Sequence, residues 1–159
     1  MRLDDLDRKI LNLLQKDAGQ ALDQIAAAVG SSKTPVWNRI RKLRAAGVIR
    51  SQVALLDPDK TGFPNCFFVL VKTSQHDAGW LAQFTAALAR HPEIMEAHRL
   101  AGEIDYLLKV RVADAAGYDR FYRSLIKDVS IFSVTALLSM EELIYNTALP
   151  IAPAADERG

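Results

Sequence analysis

The apolar residues of this 159-residue chain keep helical spacing as far as Gly47, then change period. From Asn65 onward they follow the order strand, helix, strand, strand, helix, strand. That switch constrains the fold more than any other feature, because it separates an all-helical segment from one in which strands and helices alternate. A small helical head followed by a split βαβ, ferredoxin-like body satisfies them.

In the head, Leu6, Ile10, Leu13 and Leu14 share one side of a helix over 4–16. Asp4, Asp5 and Asp7 open it, where N-capping and the helix dipole account for them better than a metal would. Leu22, Ile25, Ala26 and Val29 mark a short second helix ending at Gly30. Ser32 reads as the N-cap of a third, with Pro35 in its first turn and Val36, Ile40 and Leu43 as its apolar stripe up to Gly47. Residues 48–56 alternate loosely and read as a strand, followed by the turn-forming DPDKTG. The expected organisation is a helix-turn-helix, winged-helix-like domain over 1–50, a strand and linker over 51–63, a ferredoxin-like domain over 64–151, and a tail over 152–159, with the chain expected to fray after about Leu149, where it has little to bury. The fold class is α+β.

In the body, Phe67, Val69 and Val71 alternate with Phe68 and Leu70, so both faces of that strand are apolar. Trp80, Phe84 and Leu88 share one side of a helix over 77–90, and Tyr118, Phe121, Tyr122 and Leu125 share one side of another capped by Asp114. Strands are expected at 94–100, 106–112 and 131–140. Two helices cover only one sheet face, so the second face is expected to pack on another copy of the chain.

The net charge of +1 hides an asymmetry. Residues 1–50 carry ten basic against five acidic side chains, net +5, and the remainder ten against fourteen, net −4. Between Lys33 and Arg50 stand six basic groups and no acid. With the apolar stripe of the third helix facing inward, Lys33, Thr34, Trp37, Asn38, Arg41 and Lys42 face outward or to the flank. Lys, Thr and backbone N–H groups suit phosphates, and Asn and Arg suit base edges, which is what a helix entering a DNA major groove requires. The expected DNA-binding set is Ser32, Lys33, Thr34, Trp37, Asn38, Arg39, Arg41 and Lys42. Trp37 alone fits a core or interface position as well as a groove.

Catalytic groupings are poor. His76, His91 and His98 fit no metal-binding spacing, and no Gly-rich phosphate loop or G-x-S-x-G occurs. The single cysteine, Cys66, excludes an intramolecular disulfide and reads as a small buried hydrophobe in a reducing cytoplasm. The expectation is no enzyme, no metal, no cofactor and no membrane span.

Three segments in order resemble the Lrp/AsnC, or feast/famine, transcription regulators: LDDLDRKILNLLQKDAGQ, SSKTPVWNRIRKLRAAGVI and HRLAGEIDYLLKVRV. Through VALLDPDKTG, YDRFYRSLI and EELIYNTALPI the body resembles the branch of the enteric cysteine-detoxification regulator. Val36 departs from the Cys that many members carry after the proline. The resemblance implies a cytoplasmic, nucleoid-associated bacterial regulator of double-stranded DNA, built from homodimers that assemble to octamers. An amino-acid effector, with cysteine a candidate through the branch resemblance, would bind between subunits near Gly102. Gly102 would let backbone N–H groups approach a carboxylate, and Glu103 and Asp105 would accept from an ammonium. Tyr106, Thr135 and Ser139 complete the expected effector set. Without the resemblance, 102–105 reads as a plain β-turn rather than a ligand site, and the chain has the alternative of an amino-acid-binding assembly protein that does not read DNA.

Overall fold

A computed structural model describes residues 2–75 and 77–152. His76 and the segment 153–159 of the expected tail lie outside the described residues. The chain divides into two compact units: one runs to Ala54 and resumes at Ile144, the other spans Leu55–Leu143.

The first unit contains α1 (Asp5–Lys16), α2 (Leu22–Ala28) and α3 (Lys33–Ala45). Asp4 caps α1, its carboxylate accepting from the Asp7 N–H at 2.8 Å while Asp7 accepts in return from the Asp4 N–H at 3.2 Å. This reciprocal capping box satisfies two otherwise unpaired donors and bears out the capping role read for the aspartate cluster. Gly30 adopts φ +69° in the turn from α2 to α3, where the Ser31 N–H returns to the Ala26 carbonyl at 2.9 Å. Ile10, Ile25, Ala26, Val36 and Ile40 form the core, joined at its edge by Leu6, Leu13, Leu14, Leu22, Val29 and Ile49.

Two expectations for this unit need correction. Residues 48–56 form no strand: Val53, Leu55 and Leu56 are exposed, and among the described residues no strand pairs with their backbone. Alternation there had nothing on which to close a ladder. The chain end is also not frayed from Leu149 to Ala152. The Gln15 amide donates to the Leu149 carbonyl at 3.2 Å and accepts from the Leu149 N–H at 2.6 Å. Asn12 donates to the Ile151 carbonyl and Arg8 to the Ala152 carbonyl. Arg8, Asn12 and Gln15 lie on one side of α1 at i, i+4 and i+7, a polar row that holds an extended backbone.

The second unit contains β1 (Asn65–Lys72), α4 (Ala78–Ala89), β2 (Ile94–Arg99), β3 (Tyr106–Val112), α5 (Ala115–Asp128) and β4 (Ser133–Leu138). The sheet order is β2-β3-β1-β4, antiparallel throughout, so the ferredoxin-like order read from the sequence stands. Asp77 and Asp114 cap the two helices by accepting from the Trp80 and Gly117 N–H groups. One sheet face, with Val69, Val71, Tyr106, Leu108 and Val110, packs on Trp80, Phe84 and Ala87 of α4 and Phe121 and Leu125 of α5. The register puts Phe68, Leu70, Leu107, Thr135 and Leu137 on the opposite face, where Phe68 and Leu137 are exposed. Cys66 is a buried free thiol. His91 is buried, edge-on to Phe121 and 3.6 Å from Asp128, whereas His98 is exposed beside Glu96.

Candidate nucleic-acid interface and effector hairpin

Helix α3 follows α2 after a four-residue turn, and its Val36, Ile40 and Leu43 are buried. The other side of the helix is correspondingly turned out: Ser32, Lys33, Thr34, Trp37, Asn38, Arg41 and Lys42 are all exposed. Ser32 caps the helix by its backbone alone, with no capping bond from its hydroxyl.

The cations of this face differ in what holds them. Lys33 pairs with Asp23 of α2 at 2.7 Å, and the Arg44 guanidinium donates to the Gln52 side chain. Arg39 points back toward α1, pairing with Asp4 and, at 3.2 Å, with the buried Asp7. The Asp7 N–H bond and Arg39 together hold the Asp4 carboxyl below the usual carboxylate range, and Asp4 in turn raises the Arg39 guanidinium. Of the expected DNA-binding set, Arg39 is therefore engaged within the head. Sequence reasoning overlooked this tie, although Asp7, three residues before Ile10 on the apolar side of α1, signals an acid that needs a buried partner. The Arg41 guanidinium lies over the Trp37 ring, 4.6 Å from its centroid. No ion pair to Arg41 or Lys42 is found among the described residues.

The hairpin between β2 and β3 spans Leu100–Asp105. Its backbone is tied at both sides: Leu100 N–H donates to the Asp105 carbonyl at 2.8 Å, and Asp105 N–H to the Val71 carbonyl at 3.1 Å. The Asp105 carboxylate accepts from the Thr73 N–H at 2.8 Å. Glu103 is exposed and pairs with Lys72 at 2.9 Å, and that ammonium holds the Glu103 carboxyl below its ordinary value. Gly102 has φ +156°, and nothing lies within 4 Å of where a Cβ would project. The loop tip is thus open, with its glycine facing space rather than packed chain.

The six expected effector residues do not converge within one chain. Gly102, Glu103 and Asp105 share the hairpin. Tyr106 instead faces the helices, buried against Phe84 and Trp80 with ring centroids 4.8 and 5.7 Å away. The period of two that makes Asp105 reach the strand edge sends its neighbour to the opposite face. Thr135 pairs with Leu70 on the open face. Ser139 binds the Cys66 carbonyl through its N–H, at the other end of β1 from the hairpin. Six residues of strand, about 20 Å, separate the two ends.

Among the described residues, no cluster of three or more His, Cys, Asp or Glu is arranged to hold a metal, and no helix is long and apolar enough to cross a membrane.

Comparison with known proteins matches residues 3–50 to a winged helix-turn-helix DNA-binding domain and residues 66–149 to the Lrp/AsnC ligand binding domain. The chain is 43% identical to the DNA-binding transcriptional activator DecR of Escherichia coli K12, covering 94% of this chain and 99% of that one. Its fold superposes on an AsnC family transcriptional regulator from Agrobacterium tumefaciens with a TM-score of 0.90, at 44% identity over 93% of this chain and 97% of the other. A transcriptional regulator from Neisseria meningitidis, solved in complex with L-methionine, gives a TM-score of 0.88 at 27% identity over 94% and 97% of the two chains. Two domain matches in the observed order, covering both units, and full-length identity above two-fifths lead to one conclusion: the chain belongs to the Lrp/AsnC family of transcriptional regulators.

Proposed function

We propose that the protein is a sequence-specific DNA-binding regulator in which α3 enters the major groove and an amino acid binding at the β2–β3 hairpin tunes DNA binding. The observation that carries the DNA half is the outer face of α3, where Thr34, Asn38, Arg41 and Lys42 stand exposed beside a cap hydroxyl and no acid intervenes. Hydroxyl, amide and cation are the groups that hold phosphates and read base edges. Ser32, Lys33, Thr34 and Lys42 hold the backbone in this reading, and Asn38, Arg41 and Trp37 face the bases. Arg39 steadies α3 against α1 and makes no DNA contact.

The effector half rests on the open Gly102 tip with Glu103 and Asp105 beside it, and on the L-methionine held by the Neisseria relative. Backbone N–H groups at the tip bind the effector carboxylate, and the two acids take its ammonium directly or through water. Ser139, at the Cys66 end of β1, lies too far along the sheet to join that site in the same chain and serves it only across a subunit boundary, whereas Thr135, level with Leu70, lies near the hairpin end on the open face. The open sheet face, with Phe68, Leu70, Leu107 and Leu137, is the surface on which a second copy packs, and dimers build to octamers. The working domains are 1–50 for DNA, 51–63 as linker and 64–151 for effector and assembly. Such a protein acts on the nucleoid in the bacterial cytoplasm, without cofactor and without catalysis.

The test is fluorescence anisotropy on labelled duplex from the region upstream of the protein's own gene, across a salt series. Affinity should fall steeply with salt, and Lys42→Ala should reduce the slope by about one if it neutralises one phosphate. Absence of duplex binding at low salt would refute the regulator reading and leave the amino-acid-binding assembly protein. Of the twenty amino acids, the effector should raise the melting temperature as its concentration rises.

A further inference from the structure

We infer that Trp37 is a positioning residue for Arg41, and that the stacked pair reads a guanine with the indole lying against the methyl of a neighbouring thymine. This inference rests on the proposed DNA-reading role of α3.

The argument starts from the fate of the cations. Lys33 and Arg39 are held by carboxylates and Arg44 by an amide. Arg41 is held by a ring face, with its Cζ 4.6 Å from the Trp37 centroid. The difference is chemical. A carboxylate consumes guanidinium N–H donors, whereas a ring face engages the π surface and leaves the in-plane donors unspent. Those donors form the planar fork that matches guanine O6 and N7. Stacking also removes side-chain freedom before DNA arrives, which a long exposed arginine otherwise loses on binding.

Trp37 has no competing role in the core. It is 49% exposed, and α3 buries Val36, Ile40 and Leu43 on its other side. As residue i to Arg41 at i+4, it stands one turn nearer the helix N-terminus. The 4.6 Å offset compares with a base step of about 3.4 Å, so two stacked groups address the same or adjacent base pairs. An indole beside a bound guanine meets base edges, and the thymine methyl is the apolar group exposed there.

The experiment selects sites from a randomised duplex library with the full-length protein, then measures affinities for the selected site and its single-base variants. Arg41→Ala should flatten one guanine column, losing about tenfold discrimination or more. Trp37→Ala should lower discrimination at the same base pair by about two- to fivefold and keep the salt slope of the parent. Exchanging the adjacent thymine for deoxyuridine should weaken the parent and leave Trp37→Ala unaffected. Trp37→Phe, which keeps a ring face, should retain most of the discrimination, and unchanged melting temperatures exclude a folding defect. If the parent selects no motif, the DNA-reading role itself fails. If a motif emerges but Trp37→Ala leaves the guanine column intact, or weakens every duplex equally, the pairing of Trp37 with Arg41 in readout is wrong.

Discussion

Tyr106 offers a sharp test of how the second unit is built, because the sequence places it beside the proposed effector hairpin and the structure places it in the core. Its ring lies 4.8 Å from Phe84 and 5.7 Å from Trp80, centroid to centroid, and Trp80 stacks on Phe84 at 4.8 Å. Replacing Tyr106 by Leu keeps an apolar side chain but removes two aromatic pairs, worth about 0.5–1.5 kcal/mol each beyond area burial. The volume left unfilled adds to this, giving about 2–4 kcal/mol in all. For a unit of this size, each kcal/mol lowers the melting temperature by about 4–8 °C, so a drop of about 8–30 °C is expected. Tyr106→Phe keeps both ring contacts and should cost less than about 1 kcal/mol. The assay is calorimetry together with urea unfolding followed by Trp80 fluorescence, in a Trp37→Phe background so that only the second unit reports. If Tyr106→Leu melted with its parent while Tyr106→Phe lost the effector response at full stability, the ring would be dispensable and the hydroxyl functional. The core assignment would then be wrong.

Asp105→Ala should destabilise the second unit by about 1–3 kcal/mol, since the buried Thr73 loses the acceptor of its N–H, whereas Asp105→Asn keeps an acceptor and most of the stability. Effector affinity compared in these two variants, by calorimetry, separates the loop's shape from its charge. Acid should loosen the head: Asp4 has a depressed carboxyl, so its contribution is present above the usual carboxylate range and is lost as pH falls through the lowered value. Arg39→Met should therefore move the acid unfolding midpoint of the head to higher pH, read by Trp37 fluorescence in a Trp80→Phe background. An unmoved midpoint would count against the Arg39 tie. Gln15→Ala removes both side-chain bonds to Leu149 and should speed exchange of the Leu149 amide by about fivefold or more, one bond being worth about 1 kcal/mol.

The elements themselves were legible because each carries its own local signal. A period of 3.6 or 2, an aspartate or serine cap and a glycine stop are written within a few residues, and Asp4, Ser32 and Asp114 stand at the caps where the sequence puts them. The strand read over 48–56 failed for the opposite reason. A strand exists only with a partner, and alternation states the preference without supplying the pairing. Residues 149–152 escaped notice for a related reason: they have little apolar surface, but their backbone carbonyls are claimed by a suitably spaced polar row, Arg8, Asn12 and Gln15.

Individual roles were least legible where chemistry was most uniform. Arg39 and Arg41 are the same residue two positions apart, inside a segment whose charge reads as one block. On a helix, two residues advance the side chain by about 200°, so the pair faces nearly opposite ways. Arg39 meets the acids of α1 and Arg41 meets an aromatic ring beside open solvent. Charge counting assigns both to DNA, and only the partner distinguishes them. The same holds at 105–106, where one step along a strand turns Asp105 to the Thr73 amide and Tyr106 into the aromatic core. The basic head is thus not a uniform positive surface. Intramolecular partners engage Lys33, Arg39 and Arg44, whereas Arg41 and Lys42 form no ion pair among the described residues and stand exposed with Thr34, Trp37 and Asn38.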